Sequence, residues 1–147
     1  MHRKKLALLL ALLLPQAAIA QALRVSSCEE AGVQLNSVTQ MRVFANGGIK
    51  MFAADQVEPA AASFGVAVAV DRGADLSSAE SFCRYVSGLS GVDLGKMKAS
   101  FDQNANALTV EGPVQVSDGE GRFPTRTLTL TVNKGAKEAA MVRATLK

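Results

Sequence analysis

The side chains able to do chemistry in this 147-residue chain are few, and the types that are missing narrow the possibilities most. His2 is the only histidine, so residues 21–147 contain no imidazole. A Ser-His-Asp or Cys-His nucleophile needs that imidazole to take up the proton, and the usual His/Cys zinc sets lack ligands. Carboxylates, lysine, tyrosine and hydroxyls remain. Asp71, Asp75, Glu80 and Asp93 surround one segment of the chain, and paired carboxylates at a defined separation support hydrolysis of a glycan. Local structure accounts for them first. Glu80 completes an S-x-x-E capping box with Ser77, and Asp71 and Asp75 suit turns. No residue is therefore assigned a catalytic role, and no metal or cofactor is expected.

Cys28 and Cys83 are the only cysteines. A redox pair is usually C-x-x-C; two cysteines this far apart read instead as a structural disulfide, worth roughly 4 kcal/mol in the chain-entropy model. Met41, Met51, Met97 and Met141 are soft ligands that suggest copper(I), but Met41, Met51 and Met97 fall at apolar strand positions and are read as core filling. Thr125, Thr127, Thr129 and Thr131 line one face of a strand. An ice or crystal surface needs such threonines on several stacked strands, so they are read as ordinary solvent-facing β residues.

The candidate binding face belongs to a hairpin, residues 40–45 and 49–54, around Ala45-Asn46-Gly47-Gly48. A three-residue loop sets Ala45 opposite Ile49, Val43 opposite Met51 and Met41 opposite Ala53, so that one face is wholly apolar. The other face then carries Arg42, Phe44, Lys50 and Phe52, an aromatic-basic surface of the kind found at interfaces. The competing expectation is that a helix or the N-terminal segment covers that face.

The elements that position these residues are mostly strands. Phe64, Val66, Val68 and Val70 alternate with Gly65, Ala67 and Ala69, whose small size implies close packing against that side. After Ser77, the spacing of Ala79, Phe82, Cys83, Val86 and Leu89 predicts a helix ended by Gly88 or Gly91. A meander follows, with Met97, Ala99 and Phe101 inward, Ala99 facing Leu108, and Lys96 opposite Glu111. Gly112-Pro113 predicts a bulge or edge position. Leu128, Leu130 and Val132 point inward, and a last strand covers residues 140–146. The expected fold is α+β: an antiparallel sheet of about six strands with one packed helix and a single disulfide.

Residues 1–20 read as a cleaved signal peptide: Arg3, Lys4 and Lys5, then the apolar run from Leu6 to Leu14, then Ala18-Ile19-Ala20. Cleavage is expected after Ala20, with Ala22 as the alternative. The apolar run is about half a membrane span, and Arg24 separates it from Cys28, which argues against a lipobox. Three of the 16 basic residues and none of the 13 acidic ones lie in this segment, so residues 21–147 form one exported domain of zero net charge. Nucleic acid is not expected as a partner, because no dense basic run exists. The functional expectation is a periplasmic or secreted, non-enzymatic binding or accessory protein whose partner is a protein or envelope component. The alternatives are a carboxylate-based hydrolase acting on a glycan and a subunit of a cell-surface assembly. Oligomeric state is left open.

Overall fold

The computed structural model describes residues 22–56, 62–71 and 81–147. In chain order the strands are β1 (Arg24–Ser27), β2 (Val38–Phe44), β3 (Ile49–Asp55), β4 (Phe64–Asp71), β5 (Ser81–Leu89), β6 (Gly91–Val92), β7 (Lys98–Asp102), β8 (Ala107–Gln115), β9 (Thr125–Asn133) and β10 (Val142–Leu146). One short helical turn, α1 (Glu138–Met141), precedes β10, and a 3-10 turn at Leu94–Lys96 separates β6 from β7.

The strands form two antiparallel sheets. The first has the order β1-β5-β4-β3-β2; the second has the order β10-β9-β8-β6, with β7 also pairing with β8. In the second sheet, alternation decides the faces. Leu108, Val110 and Val114 on β8 and Leu128, Leu130 and Val132 on β9 are buried, and the residues between them face outward. The inner face of the first sheet supplies Ile49, Met51, Ala53, Val66, Val68, Val70 and Val86 to the same core. Full burial of each Val, Leu, Ile or Met contributes about 1.5–3 kcal/mol, and this shared core holds the sheets together.

The chain passes from the first sheet to the second at Ser90, whose N–H donates to the Gln115 carbonyl at 2.8 Å, just after a bulge at Gly88. The register runs from Gly65↔Ser87 to Phe64↔Leu89, so Gly88 is an extra residue, with φ of +99°. This left-handed backbone favours glycine, and the bulge aims Leu89 into the core, where it is fully buried.

Several expectations are corrected. The α+β class with a single sheet fails: 58% of the described residues are strand and 12% helical, in two sheets of five strands. The helix fails over residues 81–89, which form β5; Ser77, Ala79 and Glu80 lie outside the described residues. Phe82, Arg84 and Val86 pair with Val70, Val68 and Val66, while Cys83 and Tyr85 face the other way. Because both faces of β5 are occupied, apolar residues at 82, 83 and 86 imitate a helical stripe. Arg84 points to the inner face and lies 4.0 Å from Glu138 on α1.

The hairpin register is also off by one residue. Phe44 pairs with Ile49, Arg42 with Met51 and Gln40 with Ala53 across a four-residue loop, in which Ala45, Asn46 and Gly47 all have positive φ. In the meander, Ala99 pairs with Val110 and Lys98 with Glu111, two residues from the expected pairing but with the same parity. Register is unbroken through Gly112-Pro113. Pro113 pairs with Thr127 on an inner strand and sits between the Val92↔Val114 and Lys98↔Glu111 pairs, opposite the gap between β6 and β7. The proline is therefore accommodated by that gap and not by a bulge or an edge strand. The last strand begins at Val142, after α1.

Candidate functional site

A one-residue slip exchanges the two faces of a strand, and it divides the four candidate binding residues. Arg42 and Phe44 turn inward, whereas Lys50 and Phe52 stay on the outer face of β3. Inside, the Arg42 guanidinium lies over the Phe44 ring, 4.9 Å from its centroid, and Phe44 packs against the core. Arg42 Nη1 donates to the carbonyls of Leu94 at 2.9 Å and Met97 at 2.6 Å. The Leu94 N–H donates to Gln40 Oε1 at 2.7 Å. These polar side chains therefore clamp β2 to the 3-10 turn of the second sheet. An inward position that would be costly without partners is satisfied by backbone groups the turn leaves over.

The outward residues of β2 are consequently Thr39, Met41 and Val43. Cross-strand pairing lays out two rows: Met41, Phe52, Ala67 and Tyr85, then Val43, Lys50, Ala69 and Cys83. At the β5 end the Cys28–Cys83 disulfide is formed, with the Cα atoms 5.3 Å apart. It holds the segment after β1 against this face, where Ala31 and Val33 pack with Phe52, Ala54, Ala67 and Tyr85. The ring of Tyr85 lies across Gly65: a Cβ there would come within 2.3 Å of the phenol. The close packing implied by Gly65, Ala67 and Ala69 therefore comes from Tyr85 and the N-terminal segment.

The cover does not reach the edge strand. Met41 is 59% exposed and Val43 51%, and Leu35, at the start of the 3-10 turn leading into β2, is 90% exposed. Among the described residues β2 pairs only with β3, so its other backbone edge is free. Strand edges of this kind accept an added strand through main-chain hydrogen bonds, with side chains outside the ladder setting selectivity. The sequence signal for this surface was the alternation of Met41 and Val43, the residues assigned to the core.

The remaining candidates serve local structure. The Asp93 side chain accepts from Gly95 N at 2.9 Å and pairs with Lys96 at 3.5 Å. Asp71 ends β4, and Asp75 and Glu80 lie outside the described residues. Met51, Met97 and Met141 are buried as core filling and Met41 is not. Among the described residues no three His, Cys, Asp or Glu side chains group as metal ligands, and no helix is long and apolar enough to cross a membrane. On the outer face of the second sheet, Thr109 and Thr145 join Thr127, Thr129 and Thr131, but Glu111, Pro113 and Arg143 interrupt the array.

Among the described residues, two groups are shifted from their ordinary titration values. Burial, reinforced by the charge of Asp55, raises the Tyr85 phenol above 10.0. The Glu120 backbone N–H, with the Arg122 side chain, holds the partly buried Asp118 carboxyl below the usual range. Arg122 Nε also bonds Asp118 Oδ2 at 2.6 Å, and its other end pairs with Glu120, which ties up a loop whose acidic residues would otherwise suggest a cation site.

Comparison with known proteins returns no matching family model, no matching curated protein and no matching solved structure.

Proposed function

We propose that this chain is an exported, non-enzymatic binding or accessory module, processed after Ala20, that engages a protein or envelope component in the periplasm or outside the cell. The observation that carries the reading is the uncovered apolar row at the free edge: Met41 and Val43 on β2, with Lys50 and Phe52 beside them on β3. Isolated exposed apolar residues are ordinary, but a contiguous group at an open strand edge marks an interaction surface. The disulfide supports the compartment, because such bonds persist where the surroundings are oxidising. Arg42 and Phe44 leave the proposed contact set, since the core and the Leu94–Lys96 turn engage them. Met41 and Val43 replace them.

The test is site-specific photo-crosslinking in the producing cells. A photoreactive residue at position 41 is expected to yield a discrete adduct that Val43→Asp abolishes, whereas the same residue at position 129 yields none. An identical crosslinking profile at both positions would sink the reading. If the adduct is a second copy of this chain, the surface-assembly form of the proposal is selected.

A further inference from the structure

A second surface feature lies apart from the β2 edge row. A cavity of about 400 Å³ opens between the segment after β1 and the end of β3, lined by Ala31, Gln34, Asn36, Ser37, Asp55 and Gln56. Its size falls in the range of small-ligand sites, roughly 300–1,000 Å³. Both walls are held in place before any ligand arrives. The disulfide and the Cys28 N–H to Cys83 carbonyl bond (3.1 Å) anchor one wall to β5, and Val33 N and Ala31 N donate to Cys28 and Ser27 carbonyls at 3.1 Å each. Ser37 closes its own turn by donating from N and Oγ to the Gln34 carbonyl at 3.1 and 2.6 Å. Gln56 Nε2 donates across to the Ala31 carbonyl at 3.2 Å and joins the walls.

The lining selects a ligand by elimination. Among the described lining residues there is no Lys or Arg, so a phosphate or carboxylate finds no countercharge. There is no aromatic or large aliphatic side chain, so an apolar ligand gains little from burial. One carboxylate falls short of the several charged oxygens a divalent cation takes. Three carboxamides, a hydroxyl and one carboxylate instead offer donors and acceptors side by side, the complement of a neutral molecule whose hydroxyls both give and accept hydrogen bonds.

We infer that this cavity binds a neutral saccharide through Gln34, Asn36, Asp55 and Gln56. Glycoside cleavage needs a second carboxylate across the sugar; among the described residues Asp55 is the one carboxylate that lines the cavity. This assignment is independent of the β2 surface.

The experiment titrates the disulfide-bonded, ¹⁵N-labelled protein with three neutral probes: a glucose, an N-acetylglucosamine and a mannose trisaccharide. Inorganic phosphate serves as the anionic comparison. At least one trisaccharide is expected to shift the amides of Gly32, Gln34, Asn36 and Gln56 saturably, and phosphate is expected to leave them unmoved. Asn36→Ala, at an exposed position that folding tolerates, is expected to weaken binding about tenfold, or about 1.4 kcal/mol, without changing the melting temperature. Asp55→Asn should weaken it as well. The proposal is overturned if all three sugars leave these amides unshifted up to about 10 mM, a concentration that would reveal even a millimolar Kd. It is equally overturned if phosphate moves the same amides, or if Asn36→Ala binds like the parent. None of these outcomes alters the crosslink expected at Met41, so the two proposals fail separately.

Discussion

The two sheets are alike in strand number and opposite in how their faces are used. The second sheet keeps one dry and one wet face: on β9, Leu128, Leu130 and Val132 are fully buried, and the threonines between them meet solvent. The first sheet is covered on both faces except along its β2 edge. On β3 and β4 the inner residues fill the main core, while Ala54 and Ala67 are buried on the outside beneath the disulfide-held segment. A strand with one wet face advertises its orientation in its sequence; a strand covered on both sides reads as a continuous apolar run.

The largest expected effect breaks this contrast directly. Cys28→Ser with Cys83→Ser removes the tie that holds the cover, and is expected to cost about 4 kcal/mol, within the 2–5 range seen for small secreted domains. Denaturant unfolding with and without reductant measures it. Because the chain has one tyrosine and no tryptophan, the fluorescence change reports on Tyr85 and therefore on the covered face.

Arg42→Ala is next. It removes the charge-assisted bonds to the Leu94 and Met97 carbonyls and is expected to cost about 2 kcal/mol, the scale of hydrogen bonds to a charged group. Lys50→Ala, outward and exposed one pair further along the hairpin, should stay within about 0.5 kcal/mol. Equal urea midpoints for the two variants would show that the inward turn of Arg42 contributes nothing to stability.

The covered face also sets a pH dependence. The folded-state pKa of Tyr85 is raised above its unfolded value of 10.0, so its contribution is fully present below the unfolded pKa and is lost as pH rises through the folded one. The phenolate absorbance of the native protein should therefore appear at higher pH than in denaturant, and stability should decline in that alkaline window. Coincident titrations would mean the ring is not covered as described. The smallest effect belongs to the wet face of the second sheet: Thr129→Val removes only a long bond from Thr129 Oγ1 to Glu111 Oε2, 3.4 Å. Its urea midpoint should match the parent's within about 0.5 kcal/mol.

These contrasts explain which parts of the molecule were legible beforehand. The orientation of β9, the inward parity of β8, the disulfide and the strand character of β2, β3 and β4 follow from alternation and cysteine count. The β5 helix was a misreading because Cys83 and Tyr85 face one buried layer while Phe82 and Val86 face another. The hairpin slip came from a sound argument applied to incomplete information. Placing Met41 and Val43 in the core maximises burial within the hairpin, but it leaves out the Leu94–Lys96 turn, whose free N–H and carbonyls reward Gln40 and Arg42 for pointing inward. The cavity beside Asp55 was not legible in the sequence: the β2–β3 pairing of Val38 with Ala54 brings Ser37 towards Asp55, but the remaining wall at Ala31 is supplied by the disulfide-held segment.

By itself, then, the sequence determined the local periodicities, the covalent staple and the narrow set of available chemistries, because each depends on residue type and spacing alone. Tertiary structure decided which face of β2 is buried and which residues line the cavity. It also made Met41 and Val43, rather than Arg42 and Phe44, the exposed neighbours of Lys50 and Phe52. Those outcomes turn on partners contributed by distant strands, and a one-residue change of register is enough to exchange them.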